Sequence, residues 1–103
     1  MKYVISWHER STASAKEYEA AQDRVLQIFN KDFKMPPSFK IHQFVIRVGD
    51  WGGYIVVETD TPADLHYFAS IFAVFSFKVE PVMDVMDAVD AEHKAIAYRK
   101  KNA

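Results

Sequence analysis

Cysteine is missing from the 103 residues, and glycine (three) and proline (four) are sparse. Without thiols the chain forms no disulfide, offers no thiolate nucleophile and binds no metal through cysteine. No Gly-x-Ser-x-Gly, Walker or dinucleotide pattern occurs, which removes the signatures of serine hydrolases and nucleotide binders. Long apolar runs are missing too, and nothing approaches the roughly 20 residues needed to cross a bilayer. The opening Met1–Trp7 is cut short by His8-Glu9-Arg10 before it becomes a signal-peptide core, so a cytoplasmic location and no membrane partner are expected. Charge of one sign is also lacking: thirteen basic against fourteen acidic residues leave a net charge of −1. No global field therefore recruits nucleic acid. Between Arg47 and Lys78 there is no Lys or Arg, while Asp50, Glu58, Asp60 and Asp64 fall inside that gap. An aromatic segment flanked by acid argues further against nucleic acid. The basic end Arg99-Lys100-Lys101 reads as a solvated helix terminus that complements the helix dipole. The four histidines show no ligand spacing and the carboxylates no calcium-loop pattern, so no metal and no cofactor are expected.

What is present is apolar and aromatic: half the residues are hydrophobic and 15% are Phe, Trp or Tyr. One domain over residues 1–103 is the expected organisation, with a single core in which rings fill much of the space or line a cavity. The stretch Phe39–Thr61 organises the rest. Two runs rich in Val, Ile and Phe flank Gly49-Asp50-Trp51-Gly52-Gly53, the pattern of a β-hairpin.

Lys2–His8 alternates and reads as a first strand, followed by a polar break over Glu9–Ala13. Ser14 and Glu17 have capping-box spacing, and Tyr18, Ala21, Val25, Ile28 and Phe29 follow at helical intervals to about Lys31. Pro36-Pro37 ends that helix. After the hairpin, Thr61-Pro62-Ala63-Asp64 begins a second helix. Its stripes (Leu65, Phe68, Ala69, Phe72, Phe75 and Tyr67, Ile71, Val74) leave little surface for water, so a cover over its outer side is expected. Phe77–Val85 alternates again; Pro81 cannot donate to a ladder, so this strand is expected at an edge. Asp87 opens a last helix running to about Arg99. The order β-α-β-β-α-β plus a C-terminal helix predicts an α+β, ferredoxin-like antiparallel sheet with helices on one face. Tyr3, Ile5, Trp7, Phe44, Ile46, Tyr54 and Val56 are more apolar groups than two helices shelter, and a homodimer packed sheet against sheet is expected.

A hairpin turn centred on Trp51 sets Phe44 opposite Glu58 and His42 opposite Asp60 on one side of the sheet. A desolvated Glu58 there has a raised pKa, and His42 one diagonal step away can share its proton, a weak candidate pair for acid–base catalysis. The plainer alternative places Glu58 at the wet end of the strand beside a cation, with His42 on the rim. Gly52-Gly53 reads as a pair of positive-φ turn residues. Trp51 packs on a second subunit, lids a cavity or folds back over its own sheet. Arg47 is either an anion anchor or an ordinary surface arginine.

Met1-Lys2-Tyr3-Val4-Ile5-Ser6-Trp7, Ile41–Tyr54, Val57-Glu58-Thr59-Asp60 and Val79-Glu80-Pro81-Val82-Met83-Asp84 together resemble the domain-of-unknown-function family numbered 3303, over nearly the whole chain. The resemblance implies the dimeric α/β barrel superfamily, whose ferredoxin-like members pair through their sheets and keep a small cavity. Cofactor-independent monooxygenases, haem-handling proteins and lactone isomerases belong to it; in a haem-handling relative a helical histidine such as His66 could be an axial ligand. Three readings follow. The first is a homodimer binding a small apolar or aromatic molecule in a cavity walled by Trp7, His42, Phe44, Glu58 and His66. The second is a cofactor-independent monooxygenase or isomerase in which Glu58 and His42 move protons. The third is a non-catalytic dimerisation module with no cavity.

Overall fold

The computed structural model describes residues 1–10, 14–29 and 33–103. Its elements are β1 (Lys2–Glu9), α1 (Ala15–Phe29), β2 (Lys40–Ile46), β3 (Gly52–Glu58), α2 (Pro62–Ile71), β4 (Phe75–Val82) and α3 (Val85–Asn102). The strands form one antiparallel sheet in the order β2-β3-β1-β4. This is an α+β fold, compatible with a ferredoxin-like arrangement. The expected end of α1 at Lys31 and the Ser11–Ala13 part of the polar break lie outside the described residues.

Strand alternation divides the sheet into two faces. On one, Ile5, Trp7, Ile55 and Val57 are buried with Val25 of α1, Phe68 of α2 and Phe72 just after it; Tyr3, Phe44 and Phe77 pack against them. Both helices therefore cover this face. The expected surplus of apolar groups is smaller than the sequence suggests, because Tyr3, Ile5, Trp7 and Phe44 all belong to the covered side. Tyr54 and Val56 alternate with buried Ile55 and Val57 and fall on the other side, near Val4 and Ser6 of β1. β4 lies at an edge, as Pro81 requires.

Local signals account for most helix starts. Ser14 Oγ accepts the Glu17 N–H at 3.2 Å, one half of the capping box. At α2, Pro62 holds the first turn and Thr61 is extended, but the Thr61 side chain makes no cap bond. Thr59 does that work from the end of β3: its Oγ1 accepts the Thr61 N–H at 3.0 Å and donates to Asp64 Oδ2 at 3.0 Å. The same Asp64 oxygen accepts from Ser38 Oγ at 2.6 Å. This buried carboxylate thus ties the segment before β2, the end of β3 and the first turn of α2 into one polar knot. It also lies at the positive end of the helix dipole.

Three boundaries differ from expectation. α2 stops at Ile71, where the Phe72 N–H still reaches the Phe68 carbonyl at 3.3 Å, and Phe75 opens β4 instead of continuing the helical stripe. β4 runs over Phe75–Val82, not Phe77–Val85. α3 begins at Val85 after Asp84. The outer side of α2 meets water: Tyr67 is 52% exposed. On its inner side Asp64 and Phe68 are buried and Leu65 and Ala69 half-buried, and the chain's own C-terminal segment does not cover the outer side.

α3 stands apart from the core. None of its residues is buried, and none belongs to the core or to the half-buried hydrophobics packed on it. Eighteen helical residues span about 27 Å, and the chain measures 63 × 30 × 22 Å. Its radius of gyration is 18.4 Å, against about 13 Å for a compact chain of this length.

Replacing Asp64 by Ala should cost roughly 2–3 kcal/mol, because it strands two hydroxyls where little water reaches. Urea unfolding is expected to show a lower midpoint at an unchanged slope; an unaltered midpoint would remove the knot from the account.

Candidate functional site

A half-open apolar cavity of about 340 Å³ lies between the helix-bearing face of the sheet and the two helices. Its floor is one cross-sheet row, Ile46–Gly53–Trp7–Phe77, together with Phe44 from the next row. Val25 and Phe29 of α1, Phe68 of α2 and Phe72 just after it form its roof. Trp51 and Phe75 close the end nearest the hairpin turn. The rings meet edge-on or tilted: Trp7 lies 4.7 Å from Phe75, 6.1 Å from Phe44 and 6.4 Å from Trp51 between centroids. Such pairs contribute about 0.5–1.5 kcal/mol each beyond simple burial.

Almost everything lining this space is hydrocarbon, with one exception. The indole Nε1 atoms of Trp7 and Trp51 are buried and have no hydrogen-bond partner among the described residues. A buried donor left without an acceptor costs about 1–3 kcal/mol. Both belong to walls of the same cavity.

The turn that places Trp51 differs from the expected one. The Arg47 N–H bonds to the Gly52 carbonyl at 2.7 Å and the Asp50 N–H to the Arg47 carbonyl at 3.3 Å, so the loop centres before Trp51. Gly49, at φ 85°, supplies the positive-φ residue. Gly52 and Gly53 instead lie in β3, where their lack of a side chain lets neighbouring backbone approach. A Cβ on Gly53 would sit 2.0 Å from the Val45 carbonyl oxygen. Trp51 folds back over its own sheet and caps the cavity end. Arg47 is engaged locally: its Nε donates to Asp50 Oδ2 at 2.9 Å, and its guanidinium lies 5.6 Å from the Tyr54 ring centroid. That pairing holds the Asp50 carboxyl below the usual aspartate range.

The ladder register changes the expected neighbours. Phe44 lies opposite Ile55 and Val45 opposite Tyr54, and the pairing slips between Ile41 and Gln43, leaving His42 as an extra residue in β2. Phe44 is thereby turned into the cavity, while Glu58, opposite Lys2 and Lys40, belongs to the other end of the sheet. His42 and Glu58 still meet, with Nε2 to Oε1 at 3.0 Å, but nearly half of each side chain is exposed. The contact arises from the bulge and not from the diagonal geometry. The hydrogen bond from His42 holds the Glu58 carboxyl below the usual glutamate range, the reverse of the expected rise. Lys2 bonds Asp84 Oδ1 at 2.6 Å nearby, which raises the Lys2 ammonium and lowers the Asp84 carboxyl.

Of the five residues expected to wall the cavity, Trp7 and Phe44 do so; His42, Glu58 and His66 do not. His66 is exposed on α2, one position after half-buried Leu65 and two before buried Phe68. Among the described residues no group of three or more His, Asp or Glu is placed to hold a metal ion. No described helix is long and apolar enough to cross a membrane. The wall residues that sequence reasoning missed, Phe29, Phe72, Phe75 and Phe77 among them, were visible as aromatic stripes. Only the fold brings those stripes to one spot.

Carbon-detected NMR should place the Glu58 titration below the ordinary glutamate value, and His42→Ala should return it upward. Because the folded-state pKa is depressed, the pair's stabilisation is complete above the ordinary value and is lost as pH falls through the lowered one. A Glu58 midpoint unmoved by His42→Ala would show the contact to be absent in solution. Separately, Gly53→Ala pushes β2 outward at Val45 and Ile46 and should cost about 1–3 kcal/mol of stability by thermal melt.

Comparison with curated proteins finds no match. The family described as Domain of unknown function (DUF3303) matches residues 1–96. With its aromatic cavity at one end of the sheet and its charged pair at the other, the chain belongs to this family.

Proposed function

We propose that this chain is a ferredoxin-like domain of the dimeric α/β barrel type that binds a small, largely apolar or aromatic molecule between its sheet and helices. The observation that carries the reading is the ring-walled cavity of about 340 Å³. Its volume suits a bicyclic or slightly larger molecule, and its lining rewards apolar contact. Binding is preferred to proton-transfer catalysis because Glu58 and His42 lie outside this cavity and the carboxyl is held ionised.

The chain's two tryptophans both line the cavity, so intrinsic emission reads its occupancy directly. Naphthalene and 2-acetylnaphthalene make a matched probe pair for fluorescence and calorimetric titration. One molecule of each per chain is expected to bind. Val25→Phe, which grows into the cavity from the roof, should weaken both at least tenfold while leaving the far-ultraviolet spectrum intact. Failure of both probes to bind up to their solubility would sink the proposal.

A further inference from the structure

Besides the sheet face, a second surface of this chain is open to self-association. α3 presents Val85, Met86 and Tyr98 at 75%, 67% and 69% exposure, and none of its residues is buried by the described chain. An isolated helix of this length is marginal in water, so its stability calls for a packing partner.

The order of charges along α3 names that partner. From Asp84 to His93 there are four carboxylates, Asp84, Asp87, Asp90 and Glu92, and no Lys or Arg. From Lys94 to Ala103 there are four cations, Lys94, Arg99, Lys100 and Lys101, and no carboxylate. The segment is thus complementary to itself when reversed. Within one helix this order also suits the dipole, but it does nothing to cover the apolar side chains. A stripe at coiled-coil spacing, Met86, Val89, His93, Ile96 and Lys100, runs through the midpoint at His93.

We infer that α3 pairs antiparallel with α3 of a second copy of this chain, about a two-fold axis near His93. Each acidic half then lies along a basic half, with Glu92 level with the other copy's Lys94 and Asp87 with its Arg99. Val89 comes level with Ala97, and Met86 with the aliphatic stem of Lys100. A parallel pair would set four carboxylates against four, and charge therefore selects the antiparallel direction. This goes beyond the cavity reading and does not depend on it, since no α3 residue lines the cavity.

The absence of cysteine makes the test direct, because each introduced thiol is the only one present. His93→Cys, Met86→Cys and Lys100→Cys all alter exposed positions of α3. Under mild oxidation at about 100 µM, His93→Cys should form a disulfide-linked dimer. Met86→Cys alone should not, because its two copies lie about 21 Å apart across the axis, beyond the ~7 Å reach of a disulfide. A mixture of Met86→Cys and Lys100→Cys chains should cross-link. Converting Lys94, Arg99, Lys100 and Lys101 to Glu in the His93→Cys background should slow its cross-linking at least tenfold, and 1 M salt should slow the parent. Circular dichroism of each variant confirms that the helix persists, and the naphthalene titrations should be unchanged throughout. No link from His93→Cys with helicity intact, self-linking of Met86→Cys as fast as His93→Cys, or loss of α3 helicity in the unsubstituted chain would each overturn the pairing.

Discussion

The register of β2 against β3 decides how the two ends of this sheet are used. The ladder between β2 and β3 slips at His42, so the residues on either side keep their hydrogen bonds while His42 is left over. Beyond the slip, Phe44 and Ile46 turn toward the helices and join the cavity floor. At the slip, the spare imidazole reaches Glu58 across the strand. Phe44 and Ile46 lie between the slip and the hairpin turn, whose register sets them on the helix side; without the bulge His42 would take the place of Ile41 opposite Val57. The turn fixes the cavity floor, and the bulge fixes the charged pair.

The sheet is polarised along its strands as a result. Near the hairpin turn, rings from three strands, the turn itself and both helices surround a space they do not fill, and two indole N–H groups are shut in with no acceptor among the described residues. At the far end, Lys2, His42, Glu58 and Asp84 satisfy one another in partial contact with water. The Asp64 knot sits between loop, strand and helix and locks the start of α2. The next turn of that helix delivers Phe68 to the middle of the core, where it stacks on Phe39 at 5.6 Å. The binding proposed above is assigned to the apolar end because the rings and the dry space are there.

Much of this was legible in the sequence where physics is local. Alternation located all four strands, Ser14 and Pro62 announced helix starts, and Pro81 pointed to an edge. What failed was non-local. The turn centre was placed on Trp51 because two glycines follow it, yet those glycines serve close backbone approach and Gly49 alone takes the positive φ. That error shifted the register by an odd number, which exchanged the faces and put Glu58 beside Phe44. Trp7 and Phe44 could be assigned to the cavity from their aromatic character. His42 and Glu58 could not be removed from it without knowing of a bulge that no residue type announces. His66 failed for a simpler reason: one step along a helix is 100°, enough to carry a side chain from core to water.

The edges of the sheet carry one more implication. β4 holds a proline, which has no N–H to offer, between the charged Lys78 and Glu80 on one side and Val82 on the other; β2 is kinked by its bulge. Both are recognised defences against runaway strand addition. Borders blunted in this way disfavour lengthening the sheet with a neighbour's backbone and leave side chains as the more selective surface for a partner to read.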